Sequence, residues 1–212
     1  MQYINQSLVS EIRQKFCNVN TCPISGDRIF FENAGGALTL KSALETTTKF
    51  ASIPDNQGRD NAASKALNDV IKNAKSDLSA LFNTQSGEFF MGESGTELLF
   101  RLIRNAVLAS PSGGSIVGTS LEHPASRSAA KKWSNEMEYT YLSVPHCVKT
   151  GTVDPKNYAS KISDTTRVVT IVHASPVTGM GTKIKEISKI VRQKAPLAFI
   201  IVDGIQHAAH GV

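Results

Sequence analysis

The sequence predicts an α/β protein in which helices sandwich a mainly parallel sheet. Strand-like and helix-like segments alternate over the second half of the chain, which is the order of a parallel sheet with crossover helices. The runs RVVTIVH and AFIIVD are apolar, rich in β-branched residues and continuous rather than alternating, as expected of strands covered on both faces. With 212 residues, of which 41% are hydrophobic, the chain is long enough for one sizeable core.

The individual elements follow from local patterns. Apolar residues recur at steps of three and four between residues 60 and 82, so this stretch is predicted to be an amphipathic helix. Residues 1–27 are expected to form a separate helical arm. Further patterns predict an extended run at 88–91, strands at 115–119, 139–144, 167–173 and 198–202, and helices at 96–108, 124–133, 155–162 and 183–194.

Composition narrows the functional classes. The 23 basic and 18 acidic residues give a net charge of +5, but the lysines are scattered, so no nucleic-acid partner is expected. Cys17, Cys22 and Cys147 form an odd set without metal-type spacing, which fits a reducing compartment. The first residues lack the apolar run of a secretion signal, and no segment has the length of a membrane span. We therefore expect a cytoplasmic protein without membrane contact.

Polar residues follow several of the predicted strands. In an open parallel sheet, ligands bind at the carboxyl ends of the strands, so these residues are candidates for a site. They are Ser94 to Thr96, Glu122 with His123, the segment 174–179, and Asp203 with Gln206.

Two of these groups have a ligand-binding interpretation and a structural one. The helix start at Ser94, Gly95 and Thr96 offers backbone N–H groups and a hydroxyl to a phosphate, although a plain N-cap fits the same residues. Asp203 directly follows an apolar strand, where a carboxylate needs a cationic or hydrogen-bonding partner. Capping of the next turn is the alternative for Asp203.

Other sites are not supported by the sequence. His207 and His210 are three residues apart but have no third ligand at a suitable spacing, so no metal site is predicted. The glycines of TGMGTKI lack the rest of a dinucleotide fingerprint, and neither GxxxxGK[ST] nor GxSxG occurs.

Taken in order, the segments FFENAGGAL, ESGTE, LEHPAS, HASPVTGMG and IIVDGIQHAAHG resemble the active-site segments of class V aminotransferases, the family that includes cysteine desulfurases and selenocysteine lyases. The resemblance spans residues 29–212. It implies that residues 28–212 are part of the large domain of a transferase that depends on pyridoxal 5'-phosphate (PLP), incomplete at the carboxyl terminus. It also implies an amino-acid substrate and a homodimer in the intact protein.

The same resemblance implies roles for single residues. Gly95 and Thr96 would hold the cofactor phosphate, and His123 would stack on the pyridine ring. Asp203 would pair with the ring nitrogen, and Gln206 would donate a hydrogen bond to the phenolic oxygen.

Four further residues would lie near the substrate. These are Asn33, Ala34 and Gly35, whose small side chains expose the backbone, and Arg59. Arg59 ends the stretch NQGR at 56–59, which resembles a loop at the dimer interface, so it is a candidate substrate or partner contact.

The chain departs from the family pattern in two places. Pro176 stands in the segment 175–179 where desulfurases commonly have an asparagine, whose amide proline cannot replace. The Schiff-base lysine would follow Asp203, but residues 204–212 contain no lysine, and the lysines of 183–194 belong to the preceding helix. No catalytic residue is therefore assigned, and a fragment that is inactive alone is expected.

Two alternatives stay open on the sequence. One is a non-catalytic binding or regulatory protein that retains the PLP-pocket fold, and the other is an unrelated Rossmann-like nucleotide-binding enzyme. Within the family, these residues do not separate transamination, desulfuration, lyase and epimerase chemistry, although Pro176 weakens a strict desulfurase assignment.

Overall fold

A computed structural model describes residues 5–54, 58–208 and 210. The chain divides into two compact units, Met1–Phe90 and Met91–Val212. Within the described ranges, no helix combines the length and the apolar character that a membrane span requires. The separation of an arm at residues 1–27 from a domain at 28–212 stays a proposal.

The first unit contains three helices and a short hairpin among its described residues. Its elements are α1 (Gln6–Gln14), β1 (Thr21–Cys22), β2 (Gly26–Asp27), α2 (Lys41–Ala51) and α3 (Ala62–Leu81), with β1 antiparallel to β2. The amphipathic helix predicted at 60–82 is confirmed as α3, which begins after Asn61, whose side chain accepts the Ser64 N–H at 2.8 Å. The helix α2 was not predicted, because three successive threonines at 46–48 weaken the helix signal.

The second unit follows the predicted alternation of helices and strands. Its elements are α4 (Gly95–Leu108), β3 (Ser115–Thr119), α5 (Pro124–Glu136), β4 (Thr140–Val144), α6 (Pro155–Ala159), β5 (Thr166–Val172), α7 (Ile184–Lys194) and β6 (Phe199–Asp203). Each starts within one residue of its predicted position. The extended run predicted at 88–91 is wrong as a strand, because it has no ladder partner among the described residues.

The four strands β3 to β6 form a parallel sheet in the order β4-β3-β5-β6 within the described part of the chain. The predicted α/β class with helices around a parallel sheet is confirmed. After β3 the chain adds β4 on one side and then crosses to β5 on the other side. The order therefore reverses between β3 and β5, and in open α/β sheets ligands bind at such a switch point.

Alternate residues of the strands pack into two cores on opposite faces of the sheet. On one face, Val117 and Val169 pack with buried residues of α6 and α7, such as Tyr158 and Ile187. On the other face, Ile116 and Val168 pack with α4 and α5. Burial on both faces explains why these strands read as continuous apolar runs in the sequence.

Candidate cofactor site

The carboxyl ends of β3, β5 and β6 meet at one edge of the sheet. Val172 and Asp203 are register partners at the ends of β5 and β6, and the N–H of His173 donates to the main-chain oxygen of Asp203 at 2.8 Å. Thr119 ends β3 on the other side of β5. The sequence predictions at Glu122, His123 and Asp203 therefore fall at the switch point.

The start of α4 has the geometry of both an N-cap and an anion site. The Ser94 hydroxyl accepts the N–H of Glu97 at 3.2 Å, and the first helical bond runs from the Leu98 N–H to the Ser94 oxygen at 3.1 Å. The N–H groups of Gly95 and Thr96 precede that bond and lie at the positive end of the helix dipole. The cap interpretation is thus present, and it leaves two donors for a phosphate.

Gly95 brings the helix start into contact with the turn after β6. A Cβ atom added at Gly95 would lie 3.0 Å from Cδ1 of Ile205, closer than ordinary side-chain contacts. Since Ile205 follows Asp203 by two residues, the two predicted binding groups at Gly95 and Asp203 lie side by side. A side chain at position 95 would require the Ile205 side chain to shift by a few tenths of an ångström.

Asp203 is buried, with 7% of its surface exposed. Its Oδ1 accepts the Ile205 N–H at 3.2 Å, so the turn-capping alternative is realised in the structure. No ion pair involves Asp203 within the part of the chain that the structure describes. A carboxylate with this burial and a single neutral donor retains the capacity to pair with a protonated ring nitrogen.

His123 is the N-cap of α5 and its ring is exposed. Its Nδ1 accepts the N–H of Ala125 at 3.2 Å, and Pro124 occupies the first helical position. In the neutral ring this bond leaves the proton on Nε2. The capping bond fixes the ring at the end of β3, where the sequence predicts a stacking residue.

Glu122, which the sequence marked as a candidate without a specific role, is a strongly buried carboxyl group next to these residues. It is 3% exposed, and its Oε1 accepts the Thr119 hydroxyl and the Val172 N–H, both at 3.0 Å. Burial, reinforced by the nearby Asp203, raises the pKa of Glu122 to about 7. Its position beside His123, at the end of a strand, is the sequence feature from which a role for Glu122 could have been predicted.

The segment after β5 forms a tight turn. The Ser175 hydroxyl accepts the N–H groups of Val177 and Thr178, both at 3.2 Å, so Pro176 sits at the bend of an internally bonded loop. Close by, the rings of His173 and His207 stack with centroids 3.4 Å apart and an interplanar angle of 17°. Gln206 is half-buried in the turn between Asp203 and His207.

The predicted substrate residues lie in the first unit. Asn33, Ala34 and Gly35 are exposed in a turn closed by the bond from the Gly35 N–H to the Glu32 oxygen at 3.0 Å. Arg59 is also exposed, and residues 56 and 57 of the NQGR stretch lie outside the described residues. Contact of these four residues with a substrate stays a prediction.

Comparison with known proteins assigns the family. The family model for aminotransferase class-V matches residues 29–212. The chain belongs to the aminotransferase class-V family. The resemblance that the sequence motifs carried is confirmed.

Relatives of this family member include named cysteine desulfurases. The cysteine desulfurase-like protein ustD of Aspergillus flavus is 30% identical over 194 residues, which are 88% of this chain and 44% of that protein. A cysteine desulfurase of Nostoc sp. is 31% identical over 141 residues, which are 66% of this chain and 34% of that protein. The chain thus spans less than half the length of these relatives.

Solved structures of similar proteins agree on the fold. The cysteine desulfurase of Thermococcus onnurineus aligns with a TM-score of 0.77 at 17% identity, over 91% of this chain and 46% of that one. A mutant of C-DES with glycine covalently linked to its PLP cofactor aligns with a TM-score of 0.73 at 20% identity, over 92% of this chain and 49% of that one. PLP as the cofactor of the family is confirmed, and the helix start and buried carboxylate of this chain fit such a group.

Proposed function

We propose that this chain forms the PLP pocket of an enzyme that acts on an amino acid. The observation that supports the proposal most directly is the short distance from the Cβ position of Gly95 to Ile205, because Ile205 follows the buried Asp203 in the turn after β6. A phosphorylated pyridine needs a phosphate-type helix start and a buried carboxylate together. PLP, when bound, supplies an electron sink for a carbanion formed on the substrate.

Each pocket residue has a defined task in this proposal. The N–H groups of Gly95 and Thr96, with the Thr96 hydroxyl, bind the phosphate at the helix start. Asp203 holds a proton on the ring nitrogen, because a buried carboxylate favours the positive form of a neighbouring base. His123 would stack on the ring, and Gln206 would donate a hydrogen bond to the phenolic oxygen.

The proposal also includes the predicted substrate residues. The exposed backbone at Asn33, Ala34 and Gly35 and the guanidinium of Arg59 would bind the amino acid, for whose carboxylate an arginine is a suitable partner. We also propose a homodimer and a cytoplasmic location for the intact protein. Sedimentation and cell fractionation of the complete protein test these two points.

Binding of PLP tests the pocket. Titration with PLP should quench the fluorescence of Trp133, the single tryptophan, which lies in the helix that His123 caps. Asp203→Asn keeps the size of the side chain and removes its charge, so it should weaken PLP binding by about tenfold or more. The matched control is Asp164→Asn, an exposed position before β5 that should leave the affinity unchanged. Equal affinities of wild type and Asp203→Asn would contradict the proposed pocket.

Covalent attachment is expected to be absent in this chain. Residues 204–212 contain no lysine, so the 212 residues by themselves should bind PLP without a bond to a single site. Borohydride reduction of the complex followed by mass spectrometry measures this. Stoichiometric labelling of one lysine would show that the chain supplies the covalent residue after all.

A further inference from the structure

Glu122 is connected to both of the residues that would face the cofactor ring in the proposed pocket, His123 and Asp203. It directly precedes His123, and its Oε1 accepts the N–H of Val172, 50 residues further along the chain. Val172 is in turn the register partner of Asp203. One carboxyl group therefore connects the end of β3 to the end of β5, across the switch point and next to β6.

Among the described residues, the groups that raise or lower the pKa of Glu122 include no cation. The titratable groups that interact with it electrostatically are Asp203 of β6, Tyr141 of β4 and Tyr158 of α6, and Arg127 of α5 acts on Tyr141. Its Oε2 is buried and has no hydrogen-bond partner among the described residues. An ionised carboxylate in this position would be unpaired and next to a second carboxylate, which is costly in a buried site.

We propose that Glu122 is a positioning residue of the cofactor pocket, which as a neutral carboxyl group fixes the strand end carrying His123 to the strand end beside Asp203. This inference rests on the proposed function. In the neutral form, Oε1 of Glu122 still accepts both hydrogen bonds. Since Glu122 then carries no charge, Asp203 is the group that supplies the negative charge for the ring nitrogen. The raised pKa of Glu122 agrees with a predominantly neutral form below neutral pH.

Two substitutions separate the positioning role from simple packing. Glu122→Gln mimics the neutral carboxyl group, because the amide oxygen accepts from Thr119 and Val172 as Oε1 does. Glu122→Met has a similar length but accepts no hydrogen bond from either residue. We expect Glu122→Gln to bind PLP within about twofold of wild type at pH 6, and Glu122→Met to bind at least about tenfold more weakly.

Infrared difference spectroscopy measures the protonation state directly. Wild type minus Glu122→Gln at about pH 6 should show the carbonyl stretch of a protonated carboxyl group, which disappears as the pH rises above about 8. This readout does not require PLP and does not depend on the folding of Glu122→Met. Absence of the carbonyl band, or loss of PLP binding in Glu122→Gln, would overturn the inference.

The outcomes distinguish this inference from the proposed function. If wild type fails to bind PLP, or Asp203→Asn binds as well as wild type, the proposed pocket is wrong. If wild type binds and Asp203→Asn weakens binding, but Glu122→Met binds as well as wild type, the pocket stands and the positioning role is wrong.

Discussion

The buried Glu122 links the pH of the solution to the stability of the fold. Burial and the neighbouring Asp203 raise its pKa from an ordinary value of 4.5 to about 7. The folded protein therefore holds this proton more tightly than the unfolded chain does. The resulting stabilisation is complete below about pH 4.5 and is lost as the pH rises through about 7.

This linkage gives a testable loss of stability. From about pH 5 to about pH 8, ionisation of Glu122 should lower the free energy of unfolding of wild type by roughly 2–3 kcal/mol. The variant Glu122→Gln cannot ionise at this position. Its free energy of unfolding should therefore fall by roughly 2–3 kcal/mol less than that of wild type over the same pH range. Urea unfolding followed by the fluorescence of Trp133 at both pH values measures the difference.

The control for this experiment is Glu186→Gln, an exposed glutamate in the first turn of α7. Its substitution should leave the pH dependence of wild type unchanged, since exposed charges contribute little. Parallel pH profiles of wild type and Glu122→Gln would show that Glu122 ionises normally in the folded protein.

Strand β3 illustrates how an element is fitted to its neighbours. A Cβ atom at Gly118 would lie 2.6 Å from Oγ1 of Thr170 and 3.0 Å from the hydroxyl of Tyr141. Both atoms are buried. Gly118 thus lets the neighbouring strands β5 and β4 place polar side chains over the middle of the sheet.

Substitution of Gly118 should therefore be destabilising. Gly118→Ala forces the Thr170 or Tyr141 side chain to move within a packed core, at a cost of about 1–3 kcal/mol. The measurement is the midpoint of urea unfolding, compared between proteins whose free energy of unfolding depends on the urea concentration with the same slope. Gly181→Ala is the matched control, because the nearest atom to its added Cβ is 4.0 Å away. Identical midpoints for the two variants would mean that the space over Gly118 is not as restricted as the structure shows.

The elements also show which parts of the fold a sequence encodes locally. Strands β3, β5 and β6 and helix α3 were predictable, because β-branched runs and a repeat of 3.6 residues are local signals. The run at 88–91 has a similar local signal, but a strand also needs a partner, and pairing is a long-range property.

The same distinction applies to the site. The positions of His123 and Asp203 at strand ends were predictable from neighbouring residues in the sequence. The tasks of Glu122 were not, because its bond to Val172 joins residues 50 positions apart. Gly95 and Ile205 are still further apart in the sequence. That the binding groups at Gly95 and Asp203 come close together could therefore be seen only in the folded chain.

At the scale of the whole molecule, the hydrophobic core that the described residues form lies in the second unit. The buried hydrophobic residues of the described chain lie between Leu99 and Ala198. The residues proposed for PLP are set on this core, at Gly95, Thr96, His123, Asp203 and Gln206. Rigid surroundings favour a pocket whose groups must stay in fixed positions, and loops on such a scaffold commonly carry function.

Among the described residues, β6 forms an edge of the sheet, and we expect this edge to make the chain associate. Within the described residues β6 pairs with β5 on one side and with no strand on the other. Phe199 is 43% exposed there, and an apolar groove runs between β6 and α4, lined by residues such as Leu102 and Ala109.

An unpaired apolar edge is a template for a second chain, so the sedimentation coefficient of wild type should rise with concentration. Phe199→Lys should suppress this rise, whereas Leu197→Lys, at a 91% exposed position before the strand, should not. Monomers at all concentrations for wild type would show that the edge at β6 does not recruit a second copy.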